Sequence, residues 1–125
     1  MENLTIEETK YTPKIEMDIT TGVISIVGKS YPENTFEFYA PVMDWIEEYF
    51  NGKAKEETII NLEIIYFNSS SSKLFFDFFD LLEESNGKHK ITINWIYDEE
   101  NDSALEAGED FQEDFENLAI HLIKK

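Results

Sequence analysis

Cysteine is absent from the 125 residues of this chain, and so is arginine. Without thiols there is no disulfide, no thiolate nucleophile and no zinc–thiolate centre. The only fixed cations are ten lysines, set against 27 carboxylates, and the formal net charge is −17. A surface of that sign repels nucleic-acid phosphates and anionic lipid headgroups. No nucleic acid and no membrane is therefore expected as a partner, and proteins carrying basic patches are the better match. No run of apolar residues is long enough to span a bilayer. The first residues include Glu2, Glu7 and Glu8 in place of the basic and then apolar pattern of a secretory leader. A cytoplasmic location is the expectation.

What the chain does contain is apolar and aromatic residue at regular spacing. Its length is that of one domain, sufficient to bury about two-thirds of the unfolded surface. Aromatic residues make up 14% of it, which argues against disorder. Residues 1–12 are polar and read as a loose lead-in. Lys14 to Thr20 alternates polar and apolar, Thr21-Gly22 supplies a turn, and Val23 to Gly28 alternates again, which predicts a hairpin. After the loop Lys29 to Asn34, Asn34 with Glu37 forms a helix-capping pattern. Phe38, Val42, Trp45, Ile46 and Tyr49 follow at helical spacing, with Pro41 in the early turns and Asn51-Gly52 as the stop. Ile59 to Phe67 is β-rich and apolar at both parities, as a strand buried on both faces should be. Lys73 to Leu82 is amphipathic: Phe75, Phe78, Phe79 and Leu82 form an inner face, and Lys73, Asp77, Asp80 and Glu84 a polar stripe. Lys90 to Tyr97 alternates cleanly, so the two strands and the helix between them form a parallel crossover. Ser103 with Glu106 suggests a capping box for a short acidic helix whose regularity Gly108 limits, and Leu118 to Ile123 suggests a last edge strand. The predicted architecture is a single α/β domain: a mixed sheet of about five strands, two main helices and a short acidic one.

Most candidate sites have an ordinary alternative. His89 and His121 are isolated from any partner at ligand or triad spacing. Gly22 and Gly28 belong to no phosphate-binding loop, so no cofactor is expected, and Trp45 and Trp95 sit on apolar faces as core. Asp98, Glu99, Glu100, Asn101 and Asp102, with Glu106, Glu109 and Asp110 beyond, could hold a divalent cation or perform acid–base hydrolysis. The segment lacks the spacing and the glycine of a calcium loop, and a solvated acidic loop is the better reading of it. The run Asn68-Ser69-Ser70-Ser71-Ser72 is the most distinctive. It falls where a strand gives way to a helix, and unpaired N–H groups and the macrodipole favour anions there. Capping needs one side chain, and here four hydroxyls follow an asparagine. The run is either a cap or a site of modification. Extending the helical phase backward puts Ser69 on the meridian of Lys73, Phe76 and Asp80, facing solvent, where a phosphate would add about −1.5 to −2 charge without disturbing the fold.

Several short motifs occur in a fixed order. They are Thr12-Pro13-Lys14-Ile15, Gly28-Lys29-Ser30-Tyr31-Pro32-Glu33-Asn34, Phe38-Tyr39-Ala40-Pro41-Val42-Met43-Asp44-Trp45, Tyr66 to Ser71 with Lys73, Trp95 with Tyr97 and Asp98, and Glu106 to Phe111. The ordered set resembles the SiaC family of bacterial regulatory phosphoproteins over nearly the whole chain. The resemblance implies a fold similar to the STAS domain and a partner-switching role without catalysis. In that family a threonine within an Asn-Thr-Ser-Ser sequence is phosphorylated by a dedicated kinase-like partner, and a PP2C-type phosphatase reverses the modification. The unmodified form binds and activates a diguanylate cyclase, and so controls cyclic-di-GMP and biofilm formation. The aligned residue here is Ser69, with Ser70 and Ser71 as alternatives. Asn68, Lys73, Phe76 and Asp80 are the expected partner-binding residues. A competing expectation is an anti-anti-sigma-type protein that binds a sigma-factor antagonist.

Overall fold

A computed structural model describes all residues, 1–125. Six strands form one sheet in chain order: β1 (Leu4–Ile6), β2 (Lys14–Asp18), β3 (Val23–Ser30), β4 (Glu57–Phe67), β5 (Lys90–Tyr97) and β6 (Ala119–Lys124). The first three are antiparallel neighbours, and β3 to β6 are parallel. The three parallel connections carry the helices α1 (Thr35–Glu48), α2 (Ser69–Asn86) and α3 (Asp102–Asp114). The hairpin, the parallel crossover and the last edge strand are as the periodicity predicts. No helix is long and apolar enough to cross a membrane.

The sheet has six strands and not five, because residues 4–6 are no loose lead-in. Leu4 and Ile6 pair with Met17 and Ile15 and pack partly against the core. Asn3 Oδ1 accepts the Ile19 N–H at 2.8 Å, and the Trp45 indole donates to the Glu2 carbonyl at 2.8 Å. Polar composition concealed this strand, since two apolar residues are enough for an edge strand already tethered just before its first residue.

Local chemistry explains the helix limits. Asn34 Oδ1 accepts the Glu37 N–H at 3.1 Å, and its amide donates to the Glu37 carboxylate at 3.3 Å, which is the predicted reciprocal cap. Pro41 lies inside α1 with its ring on the exposed side. A π turn over Tyr49–Lys53 follows, and Gly52 at φ 151° ends it. That backbone conformation favours glycine. Asn101, not Ser103, caps α3: its Oδ1 accepts the Ala104 N–H at 3.1 Å. Gly108 does not interrupt α3 but permits it to dock. A Cβ there would lie 2.5 Å from Trp95 Cδ1 and 2.7 Å from Leu122 Cδ2.

One cluster of 25 buried apolar residues joins the inner faces of the strands to all three helices, so the helices lie on a single face of the sheet. The outer face is uncovered. β4 is therefore buried on one side only, contrary to the expectation from its apolar run: Thr58, Ile60, Leu62 and Ile64 point into the core, while Ile59, Asn61 and Glu63 are half-exposed and Ile65 is exposed. Between β3 and β4 the register passes from Gly28↔Ile64 to Lys29↔Tyr66, which leaves Ile65 as a bulge. The Asn101 amide donates to the bulged Ile65 carbonyl at 3.0 Å.

A chain of buried hydroxyls ties three elements together. Ser30, the last residue of β3, lies 2.5 Å from the Tyr39 hydroxyl on α1 and 2.9 Å from the Ser71 hydroxyl on α2. Burial pushes the Tyr39 phenol up to about 12, while the Ser30 hydrogen bond opposes the shift. In the unfolded chain Tyr39 ionises near pH 10. Its contribution to stability is intact below that pH and is lost as pH rises toward 12, at most about 3 kcal/mol. Urea unfolding at pH 9, 10.5 and 11.5 is expected to show this loss, and Tyr39→Phe is expected to flatten it relative to the native chain. Gly108→Ala is expected to destabilise by about 1–3 kcal/mol through overpacking against Trp95, measured by the same titration near pH 7.

Candidate functional site

The start of α2 is organised by Asn68. Its extended backbone precedes the first turn, and its side-chain oxygen accepts the Ser71 N–H at 2.9 Å. Its carbonyl accepts the Ser72 N–H at 2.9 Å, and its own N–H donates to the Ser30 carbonyl at 3.2 Å. The cap is thus the asparagine, and all four serines lie inside the first helical turn. None of them is needed for capping.

The helix distributes those serines into distinct environments. Ser71 points inward, is 0% exposed and is held by Ser30. Ser72 is half-buried. Ser69 and Ser70 are exposed, and neither hydroxyl has a protein hydrogen-bond partner. They face different clefts. Ser70 lines a small one between the first turns of α1 and α2, beside Asn34 and Phe36. Ser69 lines the larger one, an open groove of about 720 Å³ between α2 and α3.

That groove gathers three of the seven residues expected at the phosphorylation and partner-binding site. Ser69, Lys73 and Phe76 line its α2 side. Phe76 is 45% exposed and rests against Phe115, with ring centroids 4.9 Å apart. Lys73 is exposed, 3.5 Å from the Asp77 carboxylate one turn on, and it borders both clefts. Asp80 is exposed on α2 but outside the groove. Phe67, Ala107 and Phe111 supply the remaining apolar surface.

The far wall was not legible from the sequence. Ser103, Glu106, Asp110 and Asp114 of α3 line it. The spacing of the three carboxylates puts them on one side of a helix, but nothing local to that segment says that this side meets α2. The groove thus holds three carboxylates and one lysine, with the α2 N-terminus as its other source of positive potential.

The other candidates lie elsewhere. Asp98 Oδ1 accepts the Glu100 N–H at 2.9 Å as part of a turn, and Asn101 is occupied as a cap. Nowhere do three His, Asp or Glu side chains come together to hold a metal ion, so the acidic segment offers no assembled ligand set. His89 is half-buried beside Phe50, with ring centroids 5.3 Å apart. His121 lies exposed on the uncovered sheet face.

Comparison with known proteins gives the same answer from several directions. The model of the SiaC family regulatory phosphoprotein matches residues 6–125. An uncharacterised protein of Pseudomonas aeruginosa (strain UCBPP-PA14) is 39% identical over 115 residues, covering 91% of this chain and 90% of that one. The crystal structure of apo-SiaC from P. aeruginosa is 31% identical and superposes with a TM-score of 0.87 over 98% of this chain and 99% of that one. The crystal structure of the diguanylate cyclase SiaD in complex with its activator SiaC, from the same organism, matches at 34% identity and a TM-score of 0.90, again over 98% and 99% of the two chains. With the family model spanning residues 6–125 and both SiaC structures superposing over nearly the whole of each chain, the chain belongs to the SiaC family of regulatory phosphoproteins.

Proposed function

We propose that this protein is a non-enzymatic switch that binds and activates a diguanylate cyclase when unmodified and releases it when Ser69 is phosphorylated. A kinase-like partner adds the phosphate and a PP2C-type phosphatase removes it. The observation that carries the reading is the division of labour at the start of α2: Asn68 caps the helix and Ser69 stands exposed with no internal partner. Similarity to an activator of a diguanylate cyclase supports the class of effector. Ser71, wholly buried, is out of a kinase's reach. Ser70 is reachable but opens onto the other cleft, so it is the lesser candidate.

The switch follows from where the charge would go. The effector docks over Phe76 in the α2–α3 groove. A phosphate on Ser69 puts about −1.5 to −2 charge at the mouth of that groove, whose far wall already carries Glu106, Asp110 and Asp114. Lys73 and the helix N-terminus make the dianion tolerable in water. Covering it with a partner strips that hydration, and an uncompensated buried charge is costly. Recognition changes while the fold does not.

Calorimetric titration of the diguanylate cyclase with Ser69→Asp or with the phosphorylated chain is expected to show at least tenfold weaker binding than with the native chain, and Ser69→Ala is expected to bind as native. Equal affinity for native and Ser69→Asp proteins rejects the proposal. In thermal unfolding, Asn68→Ala is expected to cost about 1 kcal/mol. Ser69→Ala is expected to cost a few tenths at most, and Ser69→Asp is expected to be neutral or slightly stabilising because a carboxylate in the first turn suits the dipole.

A further inference from the structure

The charge of this protein is not spread evenly. The three helices carry fourteen carboxylates and one lysine, a net −13. The six strands carry four carboxylates and four lysines and are neutral. Since all three helices lie on one face, the molecule has a strongly acidic side and a neutral side.

The neutral side is the uncovered face of the sheet. Val23, Val27, Ile59, Ile65, Ile96 and Ile123 point out of it, with Ile65 50% and Ile123 42% exposed. A polar row crosses it at one level in the register Glu16–Ser25–Asn61–Asn94–His121. At its centre the Asn94 amide donates to Asn61 Oδ1 at 2.9 Å. That bond leaves the Asn61 amide N–H groups and the Asn94 side-chain oxygen without a protein partner. Both carboxylates of β4 on this face are paired, Glu57 with Lys90 at 3.8 Å and Glu63 with Lys125 at 2.7 Å. Parallel strands are rarely left open: sheets of that kind are normally covered on both faces, and β3 to β6 here are covered on one.

We propose that a second copy of this chain covers the open face, sheet against sheet, in a two-fold dimer with the helices outermost. Two molecules of charge −17 repel in most orientations. This one brings the neutral faces together and puts the two acidic layers at opposite ends. The central row is self-complementary under a two-fold axis, because each Asn61 N–H finds the partner copy's free Asn94 oxygen. Apolar residues on both sides of the row then close over it, in the manner of isologous interfaces. A face of about 20 Å by 20 Å buries about 400 Å² per copy, about 800 Å² in total, the size of a weak, transient contact. Half-dissociation is therefore expected on the order of 10–100 μM. The proposal is independent of Ser69 and its groove, which lie on the other side of the sheet.

Sedimentation equilibrium of the full chain from about 5 to 500 μM tests it. The weight-average mass is expected to rise from 14.7 kDa toward twice that value. Ile65→Lys and Ile123→Lys, both at exposed positions, are each expected to raise the dissociation constant at least tenfold with unchanged circular dichroism. Glu113→Lys on the outer side of α3 is expected to leave it no weaker. Without any variant, the amide signals of Ser25, Asn61, Asn94 and His121 are expected to shift with concentration while those of α2 stay fixed. A chain monomeric throughout the range overturns the proposal, as does a dimer indifferent to both lysine variants. A monomer whose Ile65→Lys variant loses binding to the diguanylate cyclase also overturns it, and gives the face to the effector.

Discussion

The site proposed at the start of α2 depends on Ser71, which fixes the underside of the helix. The hydroxyl of that residue meets Ser30 at the end of β3, and through Ser30 the Tyr39 phenol of α1. Ser30 also receives the Asn68 N–H through its carbonyl. Both side chain and backbone of one strand residue thus anchor the turn in which the helix begins. Polar groups buried this deeply are costly unless paired, so the chain of hydroxyls has few alternative arrangements. The rotation of α2 about its axis is thereby set. With Ser71 facing in, the 100° step between helical residues sends Ser70 toward α1 and leaves Ser69 toward α3.

The same rotation makes the proposed modification site separable from the core. The inward serine is structural and the outward one is free, with the capping duty lying on neither. A phosphoryl group on Ser69 would meet solvent, a lysine and a helix N-terminus before anything packed. The groove beside it has an apolar floor and an acidic far wall, so added negative charge acts on what docks there and not on what holds the domain together. The layered arrangement extends this separation to the whole molecule: acidic helices on one side, a neutral sheet on the other.

Much of this was legible in the residue pattern. Alternation gave β2, β3 and β5, the apolar stripe gave α1 and the inner face of α2, and the Asn34–Glu37 pair gave the α1 cap. Burial of Phe75, Phe78, Phe79 and Leu82 follows from period alone. The misreadings each have a tertiary cause. β1 is a strand because β2 and Trp45 receive it, not because its three residues prefer extension. Gly108 looked like a helix breaker and is a contact point, because Trp95 occupies the space its side chain would need. Apolar residues at both parities of β4 suggested two covered faces, but each of the three parallel connections placed its helix on the same side.

Read along the chain, the residue pattern was enough for every element but β1, for the α1 cap, for the acidic surface and for the order of motifs that marks the family. These depend on interactions spanning about four residues or on composition, and both can be read along the chain. Which serine is buried and which is free was decided only by the fold. So were the pairing of α3 with α2 around one groove and the uncovered face of the sheet. The bond that sorts the serines joins residues 41 apart in sequence. No local preference distinguishes four consecutive serines until a hydroxyl from another strand arrives to claim one of them.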